Sequence, residues 1–167
     1  SYYLNCCTAS IVSALTGIAV GEGLIGSVSD RLSVYFPEYG DLLREPPKDA
    51  ITVEDLLKMT TGLTWDDVTV VFGEHNYDSR MHDADDTVSF ILSQPMEEAP
   101  GKRYNHCLGA GHLLSAILQK VTGMSAAAYA RERLFGPLDI AGTQWESDKN
   151  GINMGGNGLC LPAEGLA

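Results

Sequence analysis

The sequence has few basic residues and no long hydrophobic run, and each of these absences excludes a class of protein. Lysine and arginine number 11 against 22 aspartates and glutamates, which gives a formal net charge of −11. Binding to nucleic acid or to an anionic membrane through phosphate contacts is therefore not expected. No apolar run approaches the roughly 20 residues that a membrane-spanning helix needs. The visible sequence shows no signal-like segment either, and it leaves the compartment undetermined.

The cysteine content argues against a protein held together by disulfides. Four cysteines in 167 residues are too few and too irregularly spaced for a disulfide framework. Cys6 and Cys7 are adjacent, which is a poor geometry for a bridge between them. We therefore expect free thiols, which are also able to bind a metal. With 44% hydrophobic residues the chain is able to form a core, and it is predicted to be a single helical domain over residues 1–167.

Apolar residues at helical spacing predict several helices. Thr52 and Asp55 have the spacing of a capping box, Ser125 is a typical helix start, and Gly123 is a typical helix stop. The predicted helices cover residues 10–20, 51–60, 87–94, 113–121 and 126–134. A long surface loop is expected over residues 64–83, and the glycine-rich stretch after residue 138 shows no strong period.

Five ordered segments carry a resemblance to a known family. They include TASIVSALTGIA at 8–19, ITVEDLLKMTTGL at 51–63, PGKRY at 100–104, HLLSAIL at 112–118 and FGPL at 135–138. In this order they resemble the serine β-lactamase-like hydrolases, which include class C β-lactamases, D-Ala-D-Ala peptidases and related esterases. The resemblance covers nearly the whole chain.

The resemblance implies a particular part of that family's fold. The matching segments belong to its helical subdomain, whereas the family's antiparallel sheet and its Lys-Thr-Gly strand motif have no counterpart in the sequence. The expected fold class is therefore mainly α, a helical subdomain of the serine β-lactamase-like fold without its sheet domain and with long loops. Apolar faces that would rest on the sheet would be exposed in a monomer, so a homodimer is expected.

The departures from the family pattern fall on its catalytic residues. The family's first helix opens with Ser-x-x-Lys, in which the serine is the nucleophile and the lysine helps to activate it. Aligned through Thr8 and Ser10, the serine position holds Cys6 and the lysine position holds Ala9. The catalytic tyrosine position holds His106. The serine mechanism that the resemblance implies is therefore unavailable to this chain.

The first hypothesis for the altered site is a zinc hydrolase. Cysteine and histidine are good Zn²⁺ ligands, and the family's geometry implies that Cys6 and His106 share one cleft. His82 is the preferred third ligand, and the reserve ligands are His75, Cys107, Asp85 and Asp86. A water on the open zinc position would hydrolyse an activated ester-type bond of a small molecule, whether carboxyl ester, lactam or phosphoester. This hypothesis is favoured because one ion would supply the attacking water and also polarise the substrate oxygen.

Two alternatives stay open. Cys6 and His106 could form a thiol hydrolase for acyl transfer, since the start of a helix biases a cysteine towards the nucleophilic thiolate. The substitutions could instead leave a non-catalytic helical scaffold or binding module. The roles of Cys107 and Cys160 are undetermined, with a fourth-ligand role open for Cys160.

Other polar and aromatic residues are interpreted as structural. His112 begins an apolar helical face and is expected to be a packing residue, and Cys7 is expected to be buried. Trp65 and Trp145 are expected to pack in the core. The acidic pairs, Asp66-Asp67 and Asp85-Asp86, are interpreted as helix-start residues or solvated charge.

Overall fold

Two long helices, α1 (Thr8–Gly21) and α7 (Leu108–Thr122), pack against each other at the centre of the molecule. The computed structural model describes residues 2–70, 73 and 75–162. Leu15 of α1 and Ile117 of α7 are completely buried in one hydrophobic core. The shorter helices are α2 (Leu32–Tyr35), α3 (Gly40–Leu43), α4 (Val53–Lys58), α5 (Tyr77–Asp83), α6 (Thr87–Leu92) and α8 (Ala126–Ala130), which continues as a π-helical turn (Arg131–Phe135).

The ends of the helices follow the local signals in the sequence. Thr52 and Asp55 form the predicted capping box at the start of α4. The side chain of Ser125 accepts a hydrogen bond from the backbone N–H of Ala128 at 3.2 Å, as expected for the residue that begins α8. Gly123 ends α7 with a left-handed backbone. The helix predictions in these regions are confirmed.

The predicted loop over residues 64–83 is wrong in its second half. Residues Tyr77–Asp83 form α5, and the side chain of Asn76 caps it by accepting a hydrogen bond from Ser79 N at 3.1 Å. The helix buries Met81 in the core. Its sequence lacks a repeated set of apolar residues at helical spacing, so the pattern did not predict a helix there. Residues 71, 72 and 74 of the predicted loop lie outside the described part of the chain.

The expectation of a mainly α subdomain without the family's sheet domain is not confirmed, because the described residues also form a small sheet. Strands β1 (Tyr2–Tyr3), β2 (Gln144–Trp145) and β3 (Leu159–Leu161) form an antiparallel sheet in the order β1-β3-β2. Tyr3 and Gln144 both pair with Cys160 in this register. Strands of two or three residues are too short to show an alternating pattern. The strands pair residues near the two ends of the described chain, and no local sequence pattern predicts such a long-range contact.

The glycine-rich segment before β3 lies directly against α7. A Cβ atom placed on Gly111 would lie 2.7 Å from the carbonyl oxygen of Gly155. Only a residue without a side chain therefore allows the two backbones to approach so closely. Asn157 follows in the same segment, and its side chain donates a hydrogen bond to Asp78 of α5.

Replacing Gly111 by alanine is expected to destabilise the protein by roughly 1–3 kcal/mol, because the methyl group would collide with backbone atoms. Gly17, in α1, is the matched control because a Cβ atom there meets nothing within 4 Å. Gly17→Ala is expected to stabilise the protein by up to about 1 kcal/mol, since alanine favours the helix. Urea denaturation of the two variants measures both changes, and equal effects would contradict the packing argument.

The predicted homodimer stays a prediction. Several large apolar side chains are exposed in the single chain, namely Tyr2, Tyr3, Leu24, Val34, Val68, Tyr104 and Leu138. Among the described residues, no helix has both the length and the apolar character needed to cross a membrane. Sedimentation of the purified protein distinguishes a dimer from a monomer.

Candidate active site

Cys6 lies in a 3-10 turn, Asn5–Cys7, immediately before α1. Its predicted position at the start of the first helix is therefore confirmed. All four cysteines are free thiols, also as predicted. Cys7 is exposed rather than buried, which corrects the packing expectation for that residue, and Cys6 is exposed as well.

The electrostatic surroundings of Cys6 disfavour its thiolate. Partial burial raises the pKa of the Cys6 thiol above its ordinary value, and the negative charges of Asp67 and Asp78 raise it further. The expectation that the helix start would lower this pKa is therefore wrong, because desolvation and two carboxylates outweigh the nearby backbone N–H groups. A neutral thiol needs a base before it is able to attack an electrophile.

His106 is held by a buried carboxylate. Its Nδ1 lies 2.7 Å from Oδ1 of Asp67, whose side chain is only 1% exposed. The other carboxylate oxygen, Oδ2, accepts hydrogen bonds from Trp65 Nε1 at 2.6 Å and from the backbone N–H of Leu108 at 3.0 Å. Because this carboxylate accepts, we assign the proton of His106 to Nδ1 and the lone pair to Nε2. An oriented imidazole of this kind is suited to act as a base.

Asp67 is a candidate site residue that was not predicted from the sequence. Its interpretation as a helix-start residue or solvated charge is wrong, because the carboxylate is buried and has three hydrogen-bond partners. The available signal was the neighbouring Trp65, whose indole N–H requires an acceptor when the ring is buried. Contact with His106, which is 39 positions later, could not be read from local sequence.

Packing around Trp65 keeps Asp67 in place. The indole is buried, as predicted, and its ring centroid lies 5.2 Å from that of Tyr77 and 6.3 Å from that of Phe90. A Cβ atom on Gly109 would lie 2.8 Å from the indole ring, so α7 approaches it closely. The backbone carbonyl of Trp65 accepts a hydrogen bond from Asn105 at 2.9 Å. The support for the imidazole of His106 is therefore itself fixed.

A second histidine–carboxylate pair is formed by His82 and Asp78 on α5. His82 Nε2 lies 3.5 Å from Oδ1 of Asp78, and Asn157 donates to the same oxygen at 3.1 Å. The hydrogen bond with Asp78 raises the pKa of His82 above its ordinary value. The negative charges of Asp67 and Asp78, one from each pair, both raise the pKa of the Cys6 thiol.

The described residues do not assemble the predicted zinc ligands. Within residues 2–70, 73 and 75–162, no group of three or more histidine, cysteine, aspartate or glutamate side chains is placed to hold a metal ion. In the same part of the chain, no hydrogen bond joins Cys6 to His82 or His106. The Zn²⁺ site of Cys6, His82 and His106 therefore stays a prediction without support from the geometry.

The remaining sequence candidates take structural positions. Burial raises the pKa of the Cys107 thiol to about 12, which makes it a poor nucleophile and a poor ligand. Cys160 is buried in β3. His112 is completely buried, as expected for a packing residue, and its Nε2 contacts Asp148 at 3.1 Å. His75 is exposed.

A cavity of about 300 Å³ lies beside His106. Trp65, Asp67 and Asn105 line it together with His106. Its volume lies at the lower end of the range for small-molecule sites. A small substrate could therefore reach the imidazole that Asp67 orients.

Alkylation of Cys6 provides a direct check of its surroundings. Because the pKa of the thiol is raised, its reaction with iodoacetamide at neutral pH is expected to be slower than that of an unstructured cysteine peptide. The rate should continue to rise at pH values where the peptide has already reached its maximum. Mass spectrometry of the Cys6 peptide at a series of pH values measures both profiles, and an earlier maximum for Cys6 would contradict this expectation.

Solved structures share this fold along almost the whole chain. A Bacillus anthracis protein provisionally named 6-aminohexanoate-dimer hydrolase aligns with 98% of the chain and 45% of its own length, at a TM-score of 0.80 and 17% identity. An octameric penicillin-binding protein homologue from Pyrococcus abyssi aligns with 99% of the chain and 43% of its own length, at a TM-score of 0.73 and 19% identity. A D-stereospecific amidohydrolase from Streptomyces sp. aligns with 86% of the chain and 44% of its own length, at a TM-score of 0.67 and 22% identity.

These comparisons confirm the expected β-lactamase-like fold and establish the family. The chain spans less than half the length of each of these three solved structures. No curated protein matches it in sequence. The family model for β-lactamase matches residues 2–155, which is most of the chain. The chain therefore belongs to the β-lactamase family.

Proposed function

We propose that this protein hydrolyses activated acyl bonds of small molecules, with Cys6 as nucleophile and His106 as base. The observation that carries the proposal is the 2.7 Å contact between His106 Nδ1 and the buried carboxylate of Asp67. It gives this chain a base at the position where the family places a tyrosine. Two of the proteins that share the fold are named as hydrolases, which supports the reaction class.

The proposed reaction proceeds through a thioester. His106 Nε2 takes the proton of the Cys6 thiol as Sγ attacks the substrate carbonyl carbon, and Asp67 stabilises the resulting imidazolium. The imidazolium then gives this proton to the leaving group, whose bond to the carbonyl carbon breaks. In the second half, His106 removes a proton from water, which attacks the thioester and releases the acid. Cys6 recovers its proton from His106.

The raised pKa of Cys6 fits this order of events. A thiol that is neutral at rest becomes nucleophilic only when a base removes its proton during the attack. Hydrogen bonds between nucleophile and base are often long before substrate binds and shorten in the complex. The proposed role of His106 therefore requires a substrate that draws Cys6 and the imidazole together.

The thiol mechanism restricts the substrate class. Transfer to Sγ suits carboxyl esters, thioesters and lactams, whose carbonyl carbon accepts the nucleophile. Phosphoesters belong to the zinc hypothesis, in which a metal-bound water attacks. We therefore expect acyl substrates to be hydrolysed and phosphoesters to be left intact.

The proposal is tested with p-nitrophenyl acetate. A rapid release of nitrophenol, together with one acetyl group found on Cys6 by peptide mass spectrometry, is the expected result. Cys7 lies in the same peptide and should stay unmodified during this phase. Treatment with a chelator should leave the turnover unchanged.

Other outcomes separate the competing hypotheses. Turnover that a chelator abolishes and added Zn²⁺ restores, without an acetylated Cys6, would overturn the thiol mechanism in favour of zinc. If the folded protein neither releases nitrophenol nor becomes acetylated, the thiol mechanism is overturned in favour of the non-catalytic scaffold. Each of these two results rejects the proposed function.

A further inference from the structure

The segment over residues 147–157, which we call the tie segment, folds around the carboxylate of Asp148. Oδ1 of Asp148 accepts hydrogen bonds from the backbone N–H groups of Asn150 and Ile152, both at 2.9 Å. The backbone N–H of Asp148 donates to the carbonyl of Ile152 at 2.9 Å. The carboxylate therefore closes this turn from the inside.

The second oxygen of Asp148 anchors the tie segment to α7. Oδ2 lies 3.1 Å from Nε2 of His112, and the two side chains are 2% and 0% exposed, respectively. Burial alone would raise the pKa of Asp148, but the hydrogen bonds from His112 and Ile152 lower it. A charged group in such a place is tolerated only when it is hydrogen-bonded, so breaking this contact is costly.

The same segment is attached to α5 and to the residues that follow it. Lys149 Nζ donates to the carbonyl oxygen of Asp83 at 2.7 Å, and Asn150 Nδ2 donates to the carbonyl oxygen of Asp85 at 3.0 Å. Asn157 Nδ2 donates to Asp78 Oδ1 at 3.1 Å. The tie segment therefore contacts α5 near both of its ends.

These contacts connect the two histidine–carboxylate pairs. His82 and Asp78 lie on α5, whereas His106 is separated by a single residue from the start of α7. We propose that Asp148 and His112 are positioning residues, whose hydrogen bond fixes α5 relative to α7 and thereby the His82–Asp78 pair relative to the His106–Asp67 pair. Neither residue takes part in the chemistry.

Three variants test this role. Asp148→Asn removes the charge but keeps the shape, and His112→Asn is too short for its amide to reach Asp148. His112→Gln is the matched rescue variant, because its amide nitrogen can occupy the place of Nε2 and donate to Asp148. Hydrogen exchange measured by mass spectrometry should show faster exchange in α5 in the first two variants, by about tenfold, since one hydrogen bond to a charged group is lost. His112→Gln should exchange like the wild type.

The segments in which hydrogen exchange becomes faster decide whether the proposal holds. Faster exchange confined to residues 147–153, with α5 unchanged, would overturn the proposal, as would equal behaviour of His112→Asn and His112→Gln. If His112→Asn fails to fold, the exchange rates of Asp148→Asn and His112→Gln are compared instead, since the first loses the charged contact and the second keeps a donor to Asp148. Asp41→Asn, an exposed carboxylate paired with Arg44, controls for loss of one charge.

A kinetic measurement extends the test, and it rests on the proposed function. In Asp148→Asn, kcat for p-nitrophenyl acetate should fall about tenfold while KM changes less than about twofold, because a displaced site loses reaction geometry rather than binding. An unchanged kcat in the presence of faster α5 exchange would reject the coupling to the site. If the wild type lacks hydrolytic activity, the exchange result still decides the structural role.

Discussion

Replacing Cys6 by alanine is expected to lower kcat/KM for p-nitrophenyl acetate by at least about 1,000-fold, because the variant has no atom that can form the acyl intermediate. Cys6 is exposed, so the substitution removes a thiol without leaving a cavity in the core. The free energy of unfolding should therefore stay within about 0.5 kcal/mol of the wild-type value. Steady-state kinetics and urea denaturation of the same preparation measure the two quantities.

The neighbouring thiol provides a matched control for this prediction. Cys7 is also exposed and lies in the same turn before α1. The resemblance to the family aligns the nucleophile with Cys6 and not with Cys7. Cys7→Ala should retain activity within about threefold. A similar loss in both variants would show that the turn, rather than the Cys6 thiol, is what the activity requires.

Local signals in the sequence were enough to locate most helices. Thr52 with Asp55, Ser125 and Gly123 mark helix ends through hydrogen bonds and backbone angles that involve only nearby residues. Such interactions involve only residues a few positions apart, so a short sequence pattern predicts them. The three strands depend instead on pairing between Tyr3 and Cys160, far apart in the chain, and no short pattern encodes it.

The same division applies to the candidate site. Alignment with the family motifs predicted Cys6 and His106 as site residues, because both stand at fixed distances from well-matched segments. Asp67 was not predicted as a site residue, because it joins the site through a tertiary contact with His106 and through its hydrogen bond with the buried Trp65. The pKa of Cys6 was predicted in the wrong direction for a related reason. Partial burial, together with the charges of two carboxylates that are remote in sequence, Asp67 and Asp78, raises the pKa of a thiol whose local position favoured the thiolate.

Replacing Asp67 by asparagine is expected to lower kcat/KM by roughly 100- to 10,000-fold while the protein stays folded. The carboxylate now accepts from three donors, which are His106 Nδ1, Trp65 Nε1 and the backbone N–H of Leu108. An amide has only one acceptor oxygen. If that oxygen faces Trp65 and Leu108, the amide N–H₂ points at His106 and stabilises the tautomer with the proton on Nε2, which cannot act as a base. If the amide is reversed, two N–H donors lose their buried acceptor.

Either orientation of the amide predicts a stability cost alongside the catalytic one. The first orientation replaces charge-assisted hydrogen bonds by weaker neutral ones, and the second leaves two buried donors without an acceptor. The free energy of unfolding of Asp67→Asn should therefore fall by about 1–3 kcal/mol. Asp41→Asn is the control, because Asp41 is an exposed carboxylate that pairs with Arg44 and does not line the cavity beside His106. It should change kcat/KM by less than about threefold. A folded Asp67→Asn protein with wild-type turnover would remove the oriented imidazole from the mechanism, because a base that needs no partner would then suffice for Cys6.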